Sequence, residues 1–213
     1  MPRPTAASVF THPLSRALAG ALTFALLMLA LPGLASAQSV LYNDPPEVRF
    51  FIGGGATYGG DKLASATYDN GRRQNVRAGN MAQVFIGLEW QPTRYFQAAL
   101  SGGYHTDSAG SYNGDIRFSR YPVELLAYYR PDRFWRIGGG LRMAFSPDLT
   151  GSGDAAFLSE SFDTAYSPVI ELEFLPSRHH GIKLRAVRER YESTENLPAA
   201  RGNHFGLLVA FYF

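Results

Sequence analysis

The feature that most constrains the fold is an alternation of apolar and polar side chains, with a period of two, that recurs in eight segments. In the first segment, Phe50 and Ile52 alternate with Arg49 and Gly53. The segments cover residues 48–60, 81–91, 96–105, 119–130, 134–146, 166–175, 182–191 and 204–213. A period of two is typical of a strand whose two faces lie in different environments. The sequence therefore predicts an all-β fold of eight strands.

The connections between these segments alternate strictly between short and long. The short ones, each with a proline, cover residues 91–95, 131–133 and 176–181. The long ones are rich in turn-forming residues and cover about 61–80, 106–115, 147–163 and 194–202. When consecutive strands are antiparallel, this order places the short turns on one rim of the sheet and the long loops on the other. The pattern predicts one up-and-down antiparallel barrel with no second domain after residue 48.

Alternation alone does not decide whether the apolar face points outward to lipid or inward to a core, as in a soluble lipocalin-type barrel. The polar phase is rich in glycine, which suits a narrow interior: Gly53, Gly55, Gly87, Gly103, Gly138, Gly140 and Gly206. The apolar phase carries aromatic residues near the short-turn ends: Trp90, Phe96, Tyr129, Trp135, Phe174 and Phe211. Aromatic residues so placed form a girdle at a membrane boundary. We therefore expect the apolar face to contact lipid.

The N-terminus has the pattern of a secretory signal peptide. Basic residues, Arg3 among them, precede the apolar run Ala17–Leu31, and small residues then form a cleavage site at Ala35-Ser36-Ala37. No later run reaches the roughly 18 apolar residues of a transmembrane helix. The sequence predicts a cleaved signal peptide at 1–37, a short periplasmic N-terminal segment at 38–47 and an outer-membrane barrel domain at 48–213.

The composition excludes several classes of function. The chain has 0 Cys, which excludes disulfides, CxxC redox sites, thiolate metal sites and cysteine nucleophiles. The formal net charge is +2, and two of the basic residues, Arg3 and Arg16, lie in the predicted signal peptide. That charge is too small for a nucleic-acid footprint. We expect no cofactor, no metal ion and no nucleic-acid partner.

The C-terminal segment places an apolar residue at every second position up to the last one. These residues are Phe205, Leu207, Val209, Phe211 and Phe213. This segment resembles the last strand of small outer-membrane β-barrel proteins of the OmpA/OmpX type, in which the terminal aromatic residue serves as an assembly signal. Strand number and loop order agree with the same family. The resemblance implies an eight-stranded antiparallel up-and-down transmembrane β-barrel in the cell outer membrane. It also implies a monomer that contacts outer-membrane lipid and lipopolysaccharide and is inserted by the barrel-assembly machinery.

Charged residues on the polar phase would lie in the lumen. The basic ones are Arg49, Arg120, Arg136, Arg142, Lys183 and Arg185, and the acidic ones are Glu89, Glu124, Glu171, Glu173 and Glu189. Six cations against five carboxylates favour a buried ionic network, because an unpaired charge in a narrow lumen is costly. An eight-stranded barrel is just wide enough for its side chains to fill. We expect a charged plug; an ion path or gate is the alternative interpretation.

Two places fit this pattern badly. Pro122 and Pro168 lie inside proposed strands, where each would remove a hydrogen bond of the ladder. Ile116 and Phe118 share the phase of Arg120, so apolar and charged residues fall on one face. Both prolines lie toward the long-loop ends of their strands, and we expect bulges there.

Basic residues gather toward the long-loop rim: Arg72, Arg73, Arg77, Arg188, Arg190 and Arg201. Arg188 and Arg190 share the lipid-facing phase, where a cation at mid-membrane would be costly. At the outer boundary their guanidinium groups would pair with lipopolysaccharide phosphates; solvated loop charges are the alternative. Long loops on a rigid scaffold often carry function, so loops 61–80 and 147–163 are candidate contacts for an extracellular ligand.

No motif predicts a catalytic or metal site. His105-Thr106-Asp107-Ser108 holds a base, an acid and a hydroxyl, but an extended chain does not bring them together, and we expect polar rim residues in water. His179-His180 lies in a short turn without a nearby carboxylate. The sequence favours a structural or surface-interaction role without catalysis. A narrow channel for small or apolar solutes and a lipid A-modifying hydrolase are the alternatives.

Overall fold

The computed structural model describes residues 47–67, 73–111, 114–194 and 198–213. Within these ranges the chain forms thirteen strands: β1 Glu47–Gly59, β2 Lys62–Thr67, β3 Arg73–Arg77, β4 Met81–Gln91, β5 Phe96–Ser111, β6 Gly114–Tyr129, β7 Trp135–Gly151, β8 Glu160–Ser161, β9 Ala165–Phe174, β10 His180–Val187, β11 Arg190–Tyr191, β12 Ala200–Arg201 and β13 His204–Tyr212. The predicted signal peptide and residues 38–46 of the predicted N-terminal segment lie outside the described residues, so these two boundaries stay predictions.

Eight long strands close into an antiparallel barrel, as the alternation predicts. Neighbours follow the order β1, β4, β5, β6, β7, β9, β10 and β13, and β13 pairs with β1 to complete the ring. Ile52 at the seam faces Ile86 of β4 on one side and Phe211 of β13 on the other. Each long strand therefore has a partner on both sides, and the predicted all-β, up-and-down barrel is confirmed.

The wall of the barrel is uneven in height. Strands β5, β6 and β7 have 16, 16 and 17 residues, whereas β10 and β13 have 8 and 9. The predicted loop at 106–115 is thus mostly a continuation of β5 and β6. The predicted loops at 61–80 and 147–163 also hold strands, β2 with β3 and β8, and a 3-10 helix, Gly153–Leu158. Within the described ranges, no helix is long and apolar enough to cross a membrane.

The outer face of the barrel carries the apolar phase. Ile52, Ile86, Leu100, Ile137 and Leu184 are among its exposed side chains. The aromatic residues predicted for the short-turn end form a lower girdle, in which the rings of Trp135 and Phe174 lie 4.8 Å apart. A second set, the upper girdle, was not predicted: Tyr58, Tyr104, Tyr121, Phe145, Tyr166 and Phe205. The two girdles bound an apolar belt, which is the arrangement of a lipid-facing barrel wall.

The two strand prolines differ in their effect. Beside Pro122 the register of β6 against β7 shifts between Ser119 and Tyr121. The facing residue Ser146 has a positive φ of 44°, so a bulge is confirmed there. The bulge predicted at Pro168 is wrong, because β9 pairs with β7 in one unbroken register.

Candidate functional site

The interior of the barrel is the most unusual part of the molecule. All eleven charged residues that the sequence assigns to the lumen are buried, none more than 9% exposed. We refer to them as the lumen network: Arg49, Glu89, Arg120, Glu124, Arg136, Arg142, Glu171, Glu173, Lys183, Arg185 and Glu189. Alternation within each strand places them inward, between the apolar residues that face out.

Arg136 organises the lower tier, near the short-turn rim. Its Nε donates to Glu173 Oε2 at 2.7 Å, its Nη1 pairs with Glu89, and its Nη2 donates to the Tyr212 hydroxyl at 2.6 Å. The Tyr212 hydroxyl in turn donates to Glu173 Oε1 at 2.6 Å. Glu89 also forms an ion pair with Arg49. Each carboxylate in this tier therefore has two charged or hydroxyl donors, as a buried ion requires.

The middle tier centres on Glu171. Lys183 Nζ lies 2.7 Å from Glu171 Oε1 and 3.0 Å from Glu173 Oε2, so it joins the middle and lower tiers. Arg185 Nη2 donates to Glu171 Oε2 at 2.6 Å, while its Nη1 lies 2.9 Å from Glu124 Oε1. Arg185 thereby connects two carboxylates on different strands, and the network runs continuously along the barrel axis.

The upper tier is built on Arg142. Its Nη1 lies 2.7 Å from Glu124 Oε1 and its Nε lies 3.0 Å from Glu189 Oε1. Its Nη2 lies 3.0 Å from Nδ1 of His105, a fully buried imidazole. Tyr191 donates its hydroxyl to Glu189 Oε2. Arg142 is therefore held by two carboxylates.

Arg120 is the exception within the network. It is fully buried, yet among the described residues no carboxylate lies within ion-pairing distance of it. Its Nε and Nη1 have no hydrogen-bond partner, and its Nη2 lies 3.1 Å from Nε2 of His105. Its guanidinium carbon lies 4.9 Å from the centre of the Phe118 ring and 5.9 Å from that of Tyr191. Ring contacts of this kind stabilise a cation but do not satisfy its N–H groups.

An apolar cluster, which we call the cap, lies on the long-loop side of the lumen network. It comprises Ala64, Val76, Ala78, Ala109, Ile116, Phe118, Ala144, Leu149, Phe162, Ala165, Tyr191 and Ala200. At its centre the ring of Phe118 packs edge-on against Phe162 at 5.7 Å and against Tyr191 at 5.2 Å. The cap draws on β2, β3, β5, β6, β7 and β9 and on the short strands β11 and β12. These elements therefore close the lumen on this side.

Burial shifts the pKa of titratable groups at the cap toward their neutral forms. Burial raises the pKa of the Asp107 carboxyl, although the backbone N–H of Arg77 donates to its Oδ2 at 2.8 Å and opposes the shift. Burial also raises the pKa of the Tyr191 hydroxyl. Both residues lie beyond the upper girdle, so the region above the lipid belt has a dry interior of its own.

The predicted rim cations lie apart from the lumen. Arg188 and Arg190 are exposed, and Arg190 Nε is 3.9 Å from Glu192 Oε1 with both side chains 70% exposed. Arg201 faces Arg190 across the β11–β12 ladder. Arg72 and the side chain of Arg73 lie outside the described residues. An exposed pair at 3.9 Å leaves Arg190 available to an external anion.

The predicted assembly-signal residues, on β13 and directly after it, all face outward. They are Phe205, Leu207, Val209, Phe211 and Phe213, and each is exposed. The ring of Phe213 lies 6.1 Å from that of Phe50 on β1. The last outward residue thus contacts the first strand at the seam.

The residues weighed for chemistry are not brought together. His105 and Asp107 point inward and are 0% and 2% exposed, so the expectation of water-exposed rim residues was wrong for this pair. Thr106 and Ser108 occupy the opposite phase. His180 contacts the Ser177 hydroxyl in a short turn. Across the ranges that the structure covers, no group of three or more His, Asp or Glu residues could hold a metal ion.

Sequence reasoning missed three interior tyrosines, Tyr128, Tyr191 and Tyr212, although each lies on the inward phase of its segment. Tyr128 donates to Glu171 Oε1 at 2.6 Å. Its neighbour Tyr129 faces lipid, so the phase of the strand was the signal that separates them. Tyrosines on the polar phase of such a barrel are hydrogen-bond partners of the network.

Comparison with known proteins identifies the fold. No protein-family model matches the chain, and no curated protein sequence matches it. Ail, the attachment invasion locus protein of Yersinia pestis, solved in complex with the heparin analogue sucrose octasulfate, is 15% identical with a TM-score of 0.53, covering 80% of this chain and 100% of Ail. Neisserial surface protein A is 6% identical with a TM-score of 0.50 over 80% of this chain and 100% of its own. The chain shares the fold of these small eight-stranded outer-membrane barrels.

Proposed function

We propose that this chain is an integral outer-membrane barrel with a sealed lumen, whose role is structural or surface-interacting and not catalytic. The observation that carries the proposal is the combination of an apolar outer belt between two aromatic girdles with an interior filled by paired charges. A water-soluble protein would have the opposite arrangement.

The outer belt supports residence in a membrane. Large apolar side chains face outward on all eight long strands, for example Val84 at 56% and Ile170 at 63% exposed. In water such a surface would be a severe aggregation hazard. Closure of the ring supports the same conclusion, because only a closed barrel satisfies the backbone of every strand in lipid. The Gram-negative outer membrane is the membrane in which barrels of this fold reside.

The lumen argues against the channel alternative. Ion pairs between strands that are not neighbours, such as Arg136–Glu89 and Arg185–Glu124, cross it, and the cap covers its long-loop end. An ion or solute would have to break several buried pairs to pass. The hydrolase alternative lacks support as well. The ring nitrogens of His105 contact Arg120, Arg142 and Thr57, and none of these contacts is to a serine hydroxyl.

The long-loop rim is the surface that we propose for interaction. It presents Arg188, Arg190 and Arg201 on the side that faces outward in barrels with short periplasmic turns. Guanidinium groups favour phosphates, so lipopolysaccharide is the first partner expected there. Loops 61–80 and 147–163 flank the cap and form the surface for an extracellular ligand. Monomeric state and insertion by the barrel-assembly machinery belong to the same proposal.

Planar-bilayer recording tests the sealed lumen. The protein is purified from outer-membrane fractions and reconstituted at neutral pH; we expect recovery in the outer membrane and no steady single-channel conductance. The control is the variant Arg136→Ala/Glu173→Ala, which opens the lower tier and should leak. Steady conductance of the unaltered protein would overturn the sealed lumen, and an altered lipid A acyl pattern on expression would overturn the non-catalytic role.

A further inference from the structure

The upper lumen contains a cation with unmet hydrogen-bonding capacity. We propose that Arg120 and the polar groups around it bind a compact inorganic anion of the halide class, enclosed between the lumen network and the cap. Nothing in the barrel architecture requires such a site, and the proposal does not depend on the partner that the outer surface binds.

The first argument is the hydrogen-bonding state of Arg120. A guanidinium has five N–H donors and no acceptor. Within the described ranges, Nε and Nη1 of Arg120 have no partner, and Nη2 meets only Nε2 of His105 at 3.1 Å. At most one of its donors therefore has an acceptor, in a side chain that is 0% exposed. A buried charge in this condition is strongly penalised unless a further acceptor is present.

The second argument is that His105 cannot accept from both of the arginines that face it. Its Nδ1 lies 3.0 Å from Arg142 Nη2, and its Nε2 lies 3.1 Å from Arg120 Nη2 and 2.8 Å from Thr57 Oγ1. A neutral imidazole carries a proton on one nitrogen and accepts on the other. Both ring nitrogens of His105 face an arginine N–H group. At the nitrogen that carries the proton, two N–H groups therefore point at each other and no hydrogen bond forms. Arg142 has Glu124 and Glu189 in addition, whereas Arg120 has no other acceptor.

The third argument is charge. The lumen network has six cations and five carboxylates, and five of the cations pair with those carboxylates. Arg120 is the cation of the network that pairs with none of them. Asp107 also points inward, but its Oδ2 accepts from the backbone N–H of Arg77 at 2.8 Å and it forms no ion pair with Arg120. A monovalent anion in contact with the guanidinium would pair this cation directly.

The fourth argument is that other polar groups at this height also lack partners. The amide Oε1 and Nε2 of Gln83, Oγ of Ser167 and Nε2 of His204 are buried without a hydrogen bond. The register places Gln83 directly beside His105 and Ser167 beside Arg142, and the rings of His105 and His204 lie 5.1 Å apart. Four strands therefore direct unpartnered groups into one level of the lumen. The Gln83 amide and the Ser167 hydroxyl supply neutral donors of the type that complete a halide site.

Water alone would satisfy some of these groups, but it leaves the Arg120 guanidinium without an anion in direct contact. An anion accepts from several N–H and O–H groups at once and removes the charge penalty as well. The rings of Phe118 and Tyr191 lie 4.9 and 5.9 Å from the Arg120 guanidinium carbon and give the site an apolar side, which favours a weakly hydrated ligand. These features together favour a compact monovalent ion over a phosphoryl group.

Anomalous diffraction with bromide tests the proposal directly. The full chain is refolded and crystallised in sodium bromide, because a fully buried ion exchanges slowly with solvent. We expect an anomalous peak within contact distance of the Arg120 guanidinium, and its loss in Arg120→Gln. The matched control, Arg188→Gln, removes an exposed cation and should keep the peak. Density without anomalous signal at Arg120 in the unaltered protein would identify water and overturn the proposal.

A solution measurement keeps the test valid if Arg120→Gln fails to fold. The urea midpoint of the unaltered protein is compared in chloride, bromide and gluconate at equal ionic strength. A ligand that binds only the folded state raises the midpoint. We expect higher midpoints in chloride and bromide than in gluconate, and the same difference in Arg188→Gln. Equal midpoints in all three salts would contradict a bound halide.

Discussion

The barrel below the upper girdle and the barrel above it obey opposite polarity rules. Strand β6 crosses both regions and shows the change within one element: Glu124 points in and Leu125 out near mid-membrane, whereas Phe118 points in and the exposed Arg117 out near the long-loop end. The medium outside explains the inversion. Where lipid surrounds the wall, the polar phase must turn inward; where water surrounds it, the apolar phase turns inward.

The two regions also differ in how their interiors are stabilised. The lower interior consists of buried charges that are tolerated only because each is ion-paired. The net contribution of such pairs to the free energy of folding is small. The cap is an ordinary apolar core, for which burial of each large side chain contributes about 1.5–3 kcal/mol. Arg120 lies at the boundary and belongs to neither type. Substitutions in the two regions should therefore have different effects, and the following predictions are ordered by expected size.

The largest effect is expected from Arg136→Ala. Glu173 and Glu89 would each lose a guanidinium partner in the dry lower lumen, and breaking a buried pair costs about 4 kcal/mol. Urea unfolding of the barrel in lipid vesicles measures the loss. The control is Arg178→Ala, which removes an exposed pair with Glu47 at 3.8 Å and should cost less than about 1 kcal/mol. Equal losses in both variants would remove the distinction between buried and exposed pairs.

The next effect is expected from Phe118→Ala, which deletes the central ring of the cap. Truncation of a buried Phe costs about 3 kcal/mol. Because the cap lies beyond the lipid belt, the loss should appear as faster proteolysis of the long-loop hairpins while the barrel stays folded in detergent. Arg117→Ala, on the exposed phase next to it, should leave proteolysis unchanged. Collapse of the whole barrel in Phe118→Ala would mean that cap and network are one cooperative unit.

Arg120→Met should have the opposite sign to Arg136→Ala. The substitution removes an unpaired buried cation and keeps most of the side-chain volume, so we expect a gain of about 2 kcal/mol in halide-free buffer. Arg142→Met provides the comparison, because Glu124 and Glu189 would lose their partner and the barrel should be destabilised. Urea midpoints of the two variants decide the matter. Destabilisation by Arg120→Met without halide would show that Arg120 is satisfied by the protein alone.

A smaller effect is expected at the rim. In Arg188→Glu/Arg190→Glu two exposed guanidinium groups become carboxylates, and each lost contact with phosphate is worth less than about 1 kcal/mol. The ratio of lipopolysaccharide to protein after purification should fall, while the urea midpoint should not change. Arg133→Glu on the short-turn rim makes the same charge change on the other side and should retain the lipid. Unchanged retention in the double variant would favour solvated loop charges.

The smallest effect is a pH dependence at Asp107. Because burial raises its pKa in the folded state, the folded protein binds the proton more tightly than the unfolded chain. The contribution of this group therefore stabilises the fold at low pH and is lost as pH rises through the raised pKa. Asp107→Asn should flatten that part of the profile, since the amide oxygen still accepts from Arg77. A profile identical to that of the unaltered protein would contradict the shift.

The sequence was sufficient for the barrel because strand period and loop order are local properties. The phase of Arg136 or Glu171 also follows from its own strand. The partner of each does not: Arg136 meets Glu173 across the β7–β9 ladder but meets Glu89 across the lumen, which depends on the register of strands far apart in sequence. Register is set by pairing and closure, so it could not be read from one segment.

The cap was missed for a related reason. Ile116 and Phe118 lie on the same inward face as Arg120. Apolar residues on that face conflict with the pattern only if lipid is assumed to surround the whole length of the strand. Once the wall rises above the membrane, the same inward phase is expected to be apolar. The upper girdle went unnoticed because strands β5, β6 and β7 were predicted to end near it. Residues 106–115 were therefore interpreted as a loop.

The seam between β1 and β13 has a consequence for the order of folding. Residues 52 and 211 are ladder partners, so the pairing that completes the ring links opposite ends of the described chain. Contacts with such large sequence separation give a high contact order. The entropic cost of closing the loop between β1 and β13 is offset only when β13 docks, at the last step. Until β13 docks, β1 and β10 each present an open edge that invites pairing with another chain. Insertion of this barrel should therefore be slow, and any variant that delays docking of β13 should accumulate edge-to-edge dimers before it loses stability.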